Sequence, residues 1–361
     1  MLSPHLREKI KLLPKVDLHR HLEGSLRFST IVEIATRERI PLPYHDPEEL
    51  RRYVQVNERE LPDYHAFLEK FRLLRRIYSS RETIQRIAYE SVIDAADDNV
   101  RYLELRFNPL ALAQAQGFPP LRVSEWVIEA GLKAARERKI RLNFLITITR
   151  DTDLETAKEL VQIALELKGK GVVGLDLAGD EVNYRAYPFA PIFREARRKG
   201  LGITIHAGEI TGPGSIYEAV EILGAHRIGH GVKAIEDVRV LDLLLFKKVV
   251  LEICLTSNLQ TGAVKELKEH PFPAFFRLGI LVTLNTDDPG ISGTTLTDEY
   301  MLAIRRLGMS QEELLMTIRN GILGAFLPPA EKFKLAEEFN QELKRLSFPT
   351  MPKEEEVWIW P

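Results

Sequence analysis

The chain has 361 residues, of which 45% are hydrophobic, and this is enough to build a large buried core. Its 50 Lys and Arg residues nearly balance its 52 Asp and Glu residues, giving a net charge of -2, and the basic residues are scattered among the acidic ones. This pattern excludes the basic surface that is typical of proteins that bind nucleic acid or anionic membranes, and it favours a small neutral partner.

The rest of the composition points to a soluble protein of a reducing compartment. The single cysteine, Cys254, can form neither an internal disulfide nor a cysteine-based zinc cluster. The N-terminal residues 1–15 mix charges and prolines into their apolar positions, unlike a signal peptide. The most apolar run, residues 240–255, contains two acids and two lysines and is too short to span a bilayer. We expect a cytoplasmic protein without a membrane partner, whose oligomeric state the sequence leaves unknown.

Short β-branched apolar runs alternate with longer stretches of helical spacing, as in parallel strands joined by helices. Such near-continuous apolar strands are typical of a parallel sheet covered by helices. Eight runs predict an α/β fold, a TIM (β/α)8 barrel, with an open doubly wound sheet as the alternative. In chain order the runs are KVDLHRHL (15–22), VRYLELRFNP (100–109), RLNFLITITR (141–150), VVGLDLAGDE (172–181), GITIHAGE (202–209), HRIGHGV (226–232), VVLEICLTSN (249–258) and ILVTLNTDDP (280–289).

A long, mostly helical insertion, residues 28–99, is predicted after the first strand. Within it, Phe67, Leu68 and Phe71 lie at helical spacing on one face. From this pattern alone, core packing and a gate over a substrate explain the three side chains equally well. We refer to the insertion as the lid.

The chain is predicted to close with a helix and a tail, residues 327–361. The helix is AEKFKLAEEFNQELKRL, and the tail ends in VWIWP, whose aromatic residues we expect to pack on the barrel, with an oligomer contact as the alternative. Residues 1–361 are therefore expected to form a single barrel domain.

Polar residues concentrate at the carboxyl ends of the predicted strands, which is where barrel enzymes place their active sites. Because these strand ends surround one barrel mouth, we expect the side chains to converge there. They are His19 and His21 on the first strand, Gly179, Asp180 and Glu181 on the fourth, His206 and Glu209 on the fifth, His230 on the sixth, and Asp287 and Asp288 on the eighth.

The two histidines of the first strand are spaced for a shared metal ion. Alternate residues of a strand point to one face about 6 to 7 Å apart, so both rings can reach an ion about 2 Å from each nitrogen. Alone, the pair would be explained by hydrogen-bonded histidines, but a third histidine and an aspartate on other strand ends favour a metal site. Imidazole and carboxylate ligands without thiolate favour zinc, with iron or cobalt as substitutes.

Four acids and bases at the strand ends carry two interpretations each. Glu209 is either a general acid or base beside the metal, or an acid at a helix start. His230, between Gly229 and Gly231, is either a site residue or a buried histidine bonded to a carbonyl. Asp287 and Asp288 point to different sides of a strand end, so one can bind metal and the other face substrate, unless they form a solvated turn.

Six motifs in this order, KVDLHRHLEGS, GLDLAGDE, HAGE, RIGHG, TSN and LNTDDP, resemble the adenosine deaminase family over nearly the whole chain. The resemblance implies a barrel with one Zn²⁺ per chain. It implies that Glu209 donates a proton to purine N1 and that His230 orients or deprotonates the attacking water. The zinc ligands it implies are His19, His21, His206 and Asp287.

The resemblance also implies a substrate site. Asp288 would bond the water and purine N7, and the backbone of Gly179 would meet N3. His21 would border the substrate as well as the metal, and Phe67, Leu68 and Phe71 match an apolar gate over the pocket, which favours the gate over core packing.

One departure concerns the sugar end of the substrate. Glu23 stands where adenosine-specific members usually have Asp, a residue expected to contact ribose hydroxyls, whereas Glu occurs in deaminases of adenine and of aminodeoxyfutalosine. At Gly229 and Thr286, however, the chain matches the adenosine type and not the adenine type.

The function so implied is zinc-dependent deamination of adenosine and 2′-deoxyadenosine to inosine and 2′-deoxyinosine plus ammonia, a step of purine metabolism. The alternatives are deamination of a related 6-aminopurine, namely aminodeoxyfutalosine, adenine or an N6-substituted AMP, and a barrel hydrolase of amides or esters that uses two metals. A third alternative is a barrel that binds purines without catalysing a reaction.

Overall fold

The architecture is that of a computed structural model, which describes residues 4–44, 46–57 and 59–352. The aromatic tail at residues 357–361 lies outside the described residues, so its packing stays a prediction. Among the helices that the structure describes, none is long and apolar enough to cross a membrane.

Eight parallel strands form one sheet whose spatial order follows the chain. The two edges meet through the backbone, since the N–H of His21 donates to the carbonyl of Asp287 (2.9 Å) and the N–H of Asp287 donates to the carbonyl of His19 (2.8 Å). The predicted TIM barrel is confirmed. The strands are β1 Lys15–His21, β2 Val100–Phe107, β3 Arg141–Thr149, β4 Val172–Ala178, β5 Gly202–Ala207, β6 Arg227–His230, β7 Val250–Ile253 and β8 Val282–Leu284.

Helices surround the barrel and connect its strands. Each predicted run contains one strand, and every strand is shorter than its run, most of all β7 and β8, because the polar residues that end these two runs lie beyond the sheet. The TSN motif, for example, lies on a helix. The helices are α1 Pro4–Leu12, α2 Phe28–Arg37, α3 Pro47–Val54, α4 Tyr64–Glu69, α5 Phe71–Leu74, α6 Arg81–Asp97, α7 Pro109–Ala113, α8 Pro120–Arg138, α9 Leu154–Glu166, α10 Ala190–Arg198, α11 Pro213–Tyr217, α12 Val238–Lys247, α13 Leu255–Gln260, α14 Phe272–Arg277, α15 Pro289–Ser292, α16 Leu296–Leu307, α17 Gln311–Gly324 and α18 Pro329–Arg345.

The lid consists of helices α2 to α6, which contact the barrel in two places, the outer ring of helices and the barrel mouth. Helix α6 begins after Ser80, whose hydroxyl accepts the N–H of Thr83 in a capping box, and it packs along α8 in the outer ring. Helices α4 and α5 instead cover the barrel mouth and are separated at Lys70. The buried ammonium of Lys70 donates to the carbonyl of Gln55 (3.2 Å) and pairs with Glu60 (2.9 Å), which ties the covering segment together.

A charged cluster fills the barrel interior beneath the mouth. The fully buried carboxylate of Glu252 on β7 accepts hydrogen bonds from Arg106 (2.8 Å) and Thr204 (3.0 Å), and also pairs with Arg227. Arg227 in turn donates to Glu104 of β2 (2.6 Å). Buried charges are tolerated only when they are paired and hydrogen-bonded in this way.

His226, just before β6, is a neutral structural histidine far from the barrel mouth. Its Nδ1 accepts the backbone N–H of Ile203 (3.0 Å), and its ring packs on Phe326. Burial and the neighbouring cation of Arg197 lower the pKa of His226 to about 4. Because an unfolded histidine titrates near 6.5, the unfolded chain binds the extra proton first when the pH falls below that value.

We predict that replacing this histidine reduces acid destabilisation. The free energy of unfolding should fall by up to about 3 kcal/mol between pH 6.5 and 4 on account of this group. His226→Asn keeps an acceptor for Ile203 but does not titrate, so urea unfolding of this variant should show a smaller fall over that range. An identical pH dependence in the two proteins would contradict this assignment.

Candidate active site

Four side chains converge at the barrel mouth. The Nε2 atom of His21 lies 3.3 Å from Nε2 of His19 and 3.2 Å from Nε2 of His206. One carboxylate oxygen of Asp287 lies 3.1 Å from Nε2 of His19 and 3.4 Å from Nε2 of His21. Ligand atoms about 2.0 to 2.1 Å from a tetrahedral ion are about 3.3 to 3.4 Å apart, so the four side chains fit one metal ion.

Two buried carboxylates orient the ring nitrogens of this group. Glu252 lies 2.8 Å from Nδ1 of His19, and Asp176 lies 2.9 Å from Nδ1 of His206. Burial opposes the ionisation of Asp176, but His206 and Arg106 hold its pKa below the usual range. Because each carboxylate accepts the Nδ1 proton, the Nε2 lone pair remains free for a metal.

The described residues offer less to a second ion. Asp176 is already occupied by His206, by Arg106 and by the hydroxyl of Thr147 (3.2 Å). A group made of His230, Cys254 and Asp287 has close donor atoms, but burial and the nearby charge of Asp287 raise the pKa of the Cys254 thiol well above its ordinary value. A protonated thiol is a poor ligand, which favours the single site.

Two site residues adopt a backbone conformation that is rare outside glycine. His230 has φ of 63° and Asp287 has φ of 58°, both in the left-handed region. His230 is the last residue of β6, Asp287 follows β8 after Asn285 and Thr286, and both side chains lie at the barrel mouth. Such backbone strain concentrates at functional sites, which supports a functional role for both residues.

Glu209 is placed as a neutral acid beside the four converging side chains. Its carboxyl group is buried, accepts a hydrogen bond from the hydroxyl of Thr261 (2.9 Å), and lies 3.7 Å from Nε2 of His230. Burial, reinforced by the charges of Asp287 and Glu181, raises the pKa of Glu209 to about 8. Glu209 therefore carries a proton at neutral pH and can donate it.

The loop that carries Glu209 is held by another carboxylate. The buried side chain of Glu181 accepts four backbone N–H groups, those of Gly208 (2.6 Å), Glu209 (3.1 Å), Ile210 (3.0 Å) and Thr211 (3.3 Å). Hydrogen bonds to an ionised acceptor are strong, so these four bonds hold the backbone of the loop in place and thereby position the Glu209 side chain.

Two more acids present free oxygens within the site. Burial and the neighbouring Asp287 raise the pKa of Asp288 well above its ordinary value, and its Oδ1 has no hydrogen-bond partner among the described residues. Glu23 accepts the backbone N–H of Asn108 (2.6 Å) through one oxygen, while its other oxygen has no described partner. Buried polar atoms left unpaired in this way are suited to bond a ligand.

A chain of hydrogen bonds sets the tautomer of His230. The N–H of Phe272 donates to Nδ1 of His270 (3.0 Å), so the His270 proton lies on Nε2 and is donated to the side-chain oxygen of Asn258 (3.2 Å). The amide nitrogen of Asn258 then donates to Nδ1 of His230 (3.0 Å). Neutral His230 must consequently carry its proton on Nε2, facing Glu209 and Asp287.

We call His19, His21, His206 and Asp287 the metal-type cluster. This cluster lies at the bottom of one cavity, which we call the active cavity. All residues predicted to bind substrate line it, as do both predicted catalytic residues. Its floor and walls include His21, Glu23, Gly179, His206, Glu209, His230, Asp287 and Asp288, and its roof consists of Tyr64, Phe67, Leu68, Phe71 and Arg75 from the lid.

One lid side chain, that of Tyr64, is hydrogen-bonded to the barrel beside this cavity. The hydroxyl of Tyr64 donates to the carbonyl of Gly179 (2.9 Å) and accepts the N–H of Glu181 (3.1 Å). Phe67 is buried in the core, whereas Leu68 and Phe71 are half-buried at the cavity roof. Tyr64 thereby holds the apolar roof against the end of β4.

Sequence reasoning placed the converging residues but missed several that support them. Asn258 appeared only as the last residue of the TSN motif, without a role, and His270 gave no signal, because their chain of hydrogen bonds joins a helix to a distant loop. Glu252 did give one, since a lone acid inside the apolar run VVLEICL needs a buried partner. The roles of the site residues stay predictions.

A parallel (β/α)8 barrel that gathers three histidines and an aspartate at its carboxyl ends defines a class of metal-dependent barrel hydrolases. The adenosine deaminase family model matches residues 14–342. The chain is 39% identical over 319 residues to an adenosine deaminase of Edwardsiella ictaluri, covering 88% of this chain and 95% of that one. The chain belongs to the adenosine deaminase family.

Solved structures show the same fold. An adenine deaminase from Arthrobacter aurescens superimposes with a TM-score of 0.85 at 28% identity, covering 92% of this chain and 99% of that one. An Arabidopsis N6-mAMP deaminase has a TM-score of 0.83 at 32% identity, with the same two coverages of 92% and 99%. The fold is thus shared by proteins named for different 6-aminopurines.

We predict that Asn258→Asp moves the His230 proton from Nε2 to Nδ1. The aspartate has the shape of asparagine but can only accept, so it reverses the direction of the hydrogen bond to His230. The ¹⁵N chemical shifts of the His230 ring should report the change in metal-free protein. If His230 must present an N–H to the reacting groups, kcat should fall by roughly 100-fold or more, with a smaller change in KM. Unchanged ring shifts would show that Asn258 does not set the tautomer.

Proposed function

We propose that the chain hydrolyses adenosine and 2′-deoxyadenosine to inosine and 2′-deoxyinosine, releasing ammonia, with one Zn²⁺ bound by His19, His21, His206 and Asp287. The observation that carries the proposal is the convergence of these four side chains beside the protonated carboxyl of Glu209 in one cavity. The family's members at about 40% identity over 90% of the chain add support.

The proposed metal has one function in the reaction. When bound, zinc lowers the pKa of water toward 7 and so supplies the nucleophile for purine C6. The donor set supports zinc, because it combines three imidazoles with one carboxylate at tetrahedral spacing.

The protein side chains would handle the protons. Glu209 donates its proton to purine N1, which makes C6 more electrophilic, and Thr261 holds the other oxygen of its carboxyl group. His230 presents its Nε2 proton and therefore orients the attacking water instead of removing a proton from it. Of the two roles implied by the family resemblance, the hydrogen bonds of Asn258 favour orientation.

The remaining contacts would align the purine. The raised pKa of Asp288 favours the protonated form, which would donate to N7, an acceptor, and the backbone of Gly179, at the cavity wall, would meet N3. Phe67, Leu68 and Phe71 supply an apolar roof for the ring. Glu23, whose free oxygen lies in the cavity, is assigned to a ribose hydroxyl.

Part of the specificity against adenine rests on Gly229. A Cβ atom at this position would lie 3.0 Å from Cε1 of His19 and 3.2 Å from the backbone of His206. The family resemblance implies an acid at this position in adenine deaminases, and an acid here would require the side chains of His19 and His206 to shift by a few tenths of an ångström, so the site as it stands fits glycine. We also propose a cytoplasmic location, which the lone cysteine supports.

We predict that zinc-loaded protein releases ammonia from adenosine and 2′-deoxyadenosine, and that Glu209→Gln lowers the rate by about 100- to 10,000-fold, since a positioned acid contributes this much. Glutamine retains the shape of the side chain and the bond from Thr261, so the variant should keep its metal. The measurements are an ammonia assay and metal analysis by mass spectrometry.

The matched control is His19→Ala, which should lose metal and activity together. No ammonia from either nucleoside with zinc-loaded wild type would overturn the proposed function. A Glu209→Gln variant with near wild-type activity would instead show that another group donates the proton.

A further inference from the structure

Arg75 is a cation of the active cavity that the proposed chemistry leaves unused. It begins a short turn, Arg75–Ile77, after the last covering helix of the lid, and its side chain lines the cavity roof. Its Nε is buried without a hydrogen-bond partner, and no ion pair links it to any acid among the described residues. A guanidinium has five donors, and leaving a buried one unpaired costs free energy, so the position is suited to a ligand.

Arg75 is one of two residues that the active cavity shares with a neighbouring cavity. Together with Leu68, it lines a second cavity on the outer side of the roof, which we call the outer cavity. The outer cavity is otherwise lined by Glu69, Arg72, Arg76, Gln114 and Ala115. With three arginines and one glutamate on its walls, this region attracts anions.

Arg75 interacts electrostatically with one acid of the active cavity, Glu23. The positive charge of Arg75 acts on the Glu23 carboxylate, although the two side chains are not within ion-pair distance. Under the proposed function, Glu23 meets a ribose hydroxyl while the purine reaches Glu209 and Asp288 deeper in the cavity. Arg75 therefore lies beyond the sugar, on the side where the two cavities meet.

We propose that the preferred substrate is a 6-aminopurine nucleoside that carries an anionic group, a phosphate or a carboxylate, on the 5′ side of its ribose, and that Arg75 binds this group. The inference rests on the proposed deaminase function and names its substrate class. The planar guanidinium matches the paired oxygens of phosphate and carboxylate, to which it can donate two parallel hydrogen bonds. Arg72 and Arg76 add a diffuse positive field at the mouth.

The test compares four substrates that differ at the 5′ carbon: adenosine, 5′-deoxyadenosine, adenosine 5′-phosphate and adenosine 5′-carboxylate. With zinc-loaded full-length protein, one of the anionic substrates should have a kcat/KM about 10- to 100-fold above that of adenosine, the range expected for a charged hydrogen-bond pair. Which anion is preferred distinguishes a phosphate site from a carboxylate site.

Variants separate Arg75 from general charge effects. Arg75→Met should abolish the preference for the anion by lowering kcat/KM for the anionic substrate to that for adenosine, and Arg75→Lys should restore only part of the preference. Arg52→Met removes a cation from an exposed lid position that lines neither cavity, and it should preserve the preference. Binding of inosine 5′-phosphate relative to inosine, measured by calorimetry, should follow the same pattern.

The outcomes also separate this inference from the proposed function. Adenosine turnover without any preference for an anion, or a preference that survives Arg75→Met, would overturn the inference and leave the deaminase intact. No ammonia from any of the four substrates would overturn the proposed function itself.

Discussion

The site depends on one buried carboxylate in the barrel interior, that of Glu252. It is fully enclosed, and burial opposes its ionisation, yet Arg106 and Arg227 hold its pKa well below the usual range. Because it stays charged, it can accept the Nδ1 proton of His19 and leave Nε2 free at the mouth. Removing it would leave Arg106 paired only with Asp176 and Arg227 paired only with Glu104, which costs free energy in a buried site, in addition to releasing the His19 ring.

Carboxylates perform opposite tasks a few ångströms apart because their surroundings differ. Neighbouring arginines or histidines lower the pKa of Glu252, Asp176 and Asp287 and favour their anionic forms, whereas burial and neighbouring negative charges raise the pKa of Glu209 and Asp288 and favour their protonated forms. The anions orient or form the metal-type cluster, and the neutral acids can donate protons. The family's barrel thus supplies both ligands and acids from one set of strand ends.

The sequence allowed the barrel and most of the candidate site to be predicted, because apolar strands and the polar residues that end them follow local rules. The positions of His19 and His21 follow from strand alternation alone. The meeting of Glu252 with Arg106 and His19 depends on the register of distant strands, and the link from His270 through Asn258 to His230 depends on where a helix and a loop pack.

The central claim is that His19, His21, His206 and Asp287 hold a single zinc ion. Anomalous X-ray scattering at the zinc edge, recorded from crystals of the zinc-loaded protein, tests it most directly. The account predicts one peak, about 2.0 to 2.2 Å from Nε2 of each histidine and from a carboxylate oxygen of Asp287. A second peak of equal height near Asp176, or a single peak placed at His230 and Cys254 instead, would contradict it.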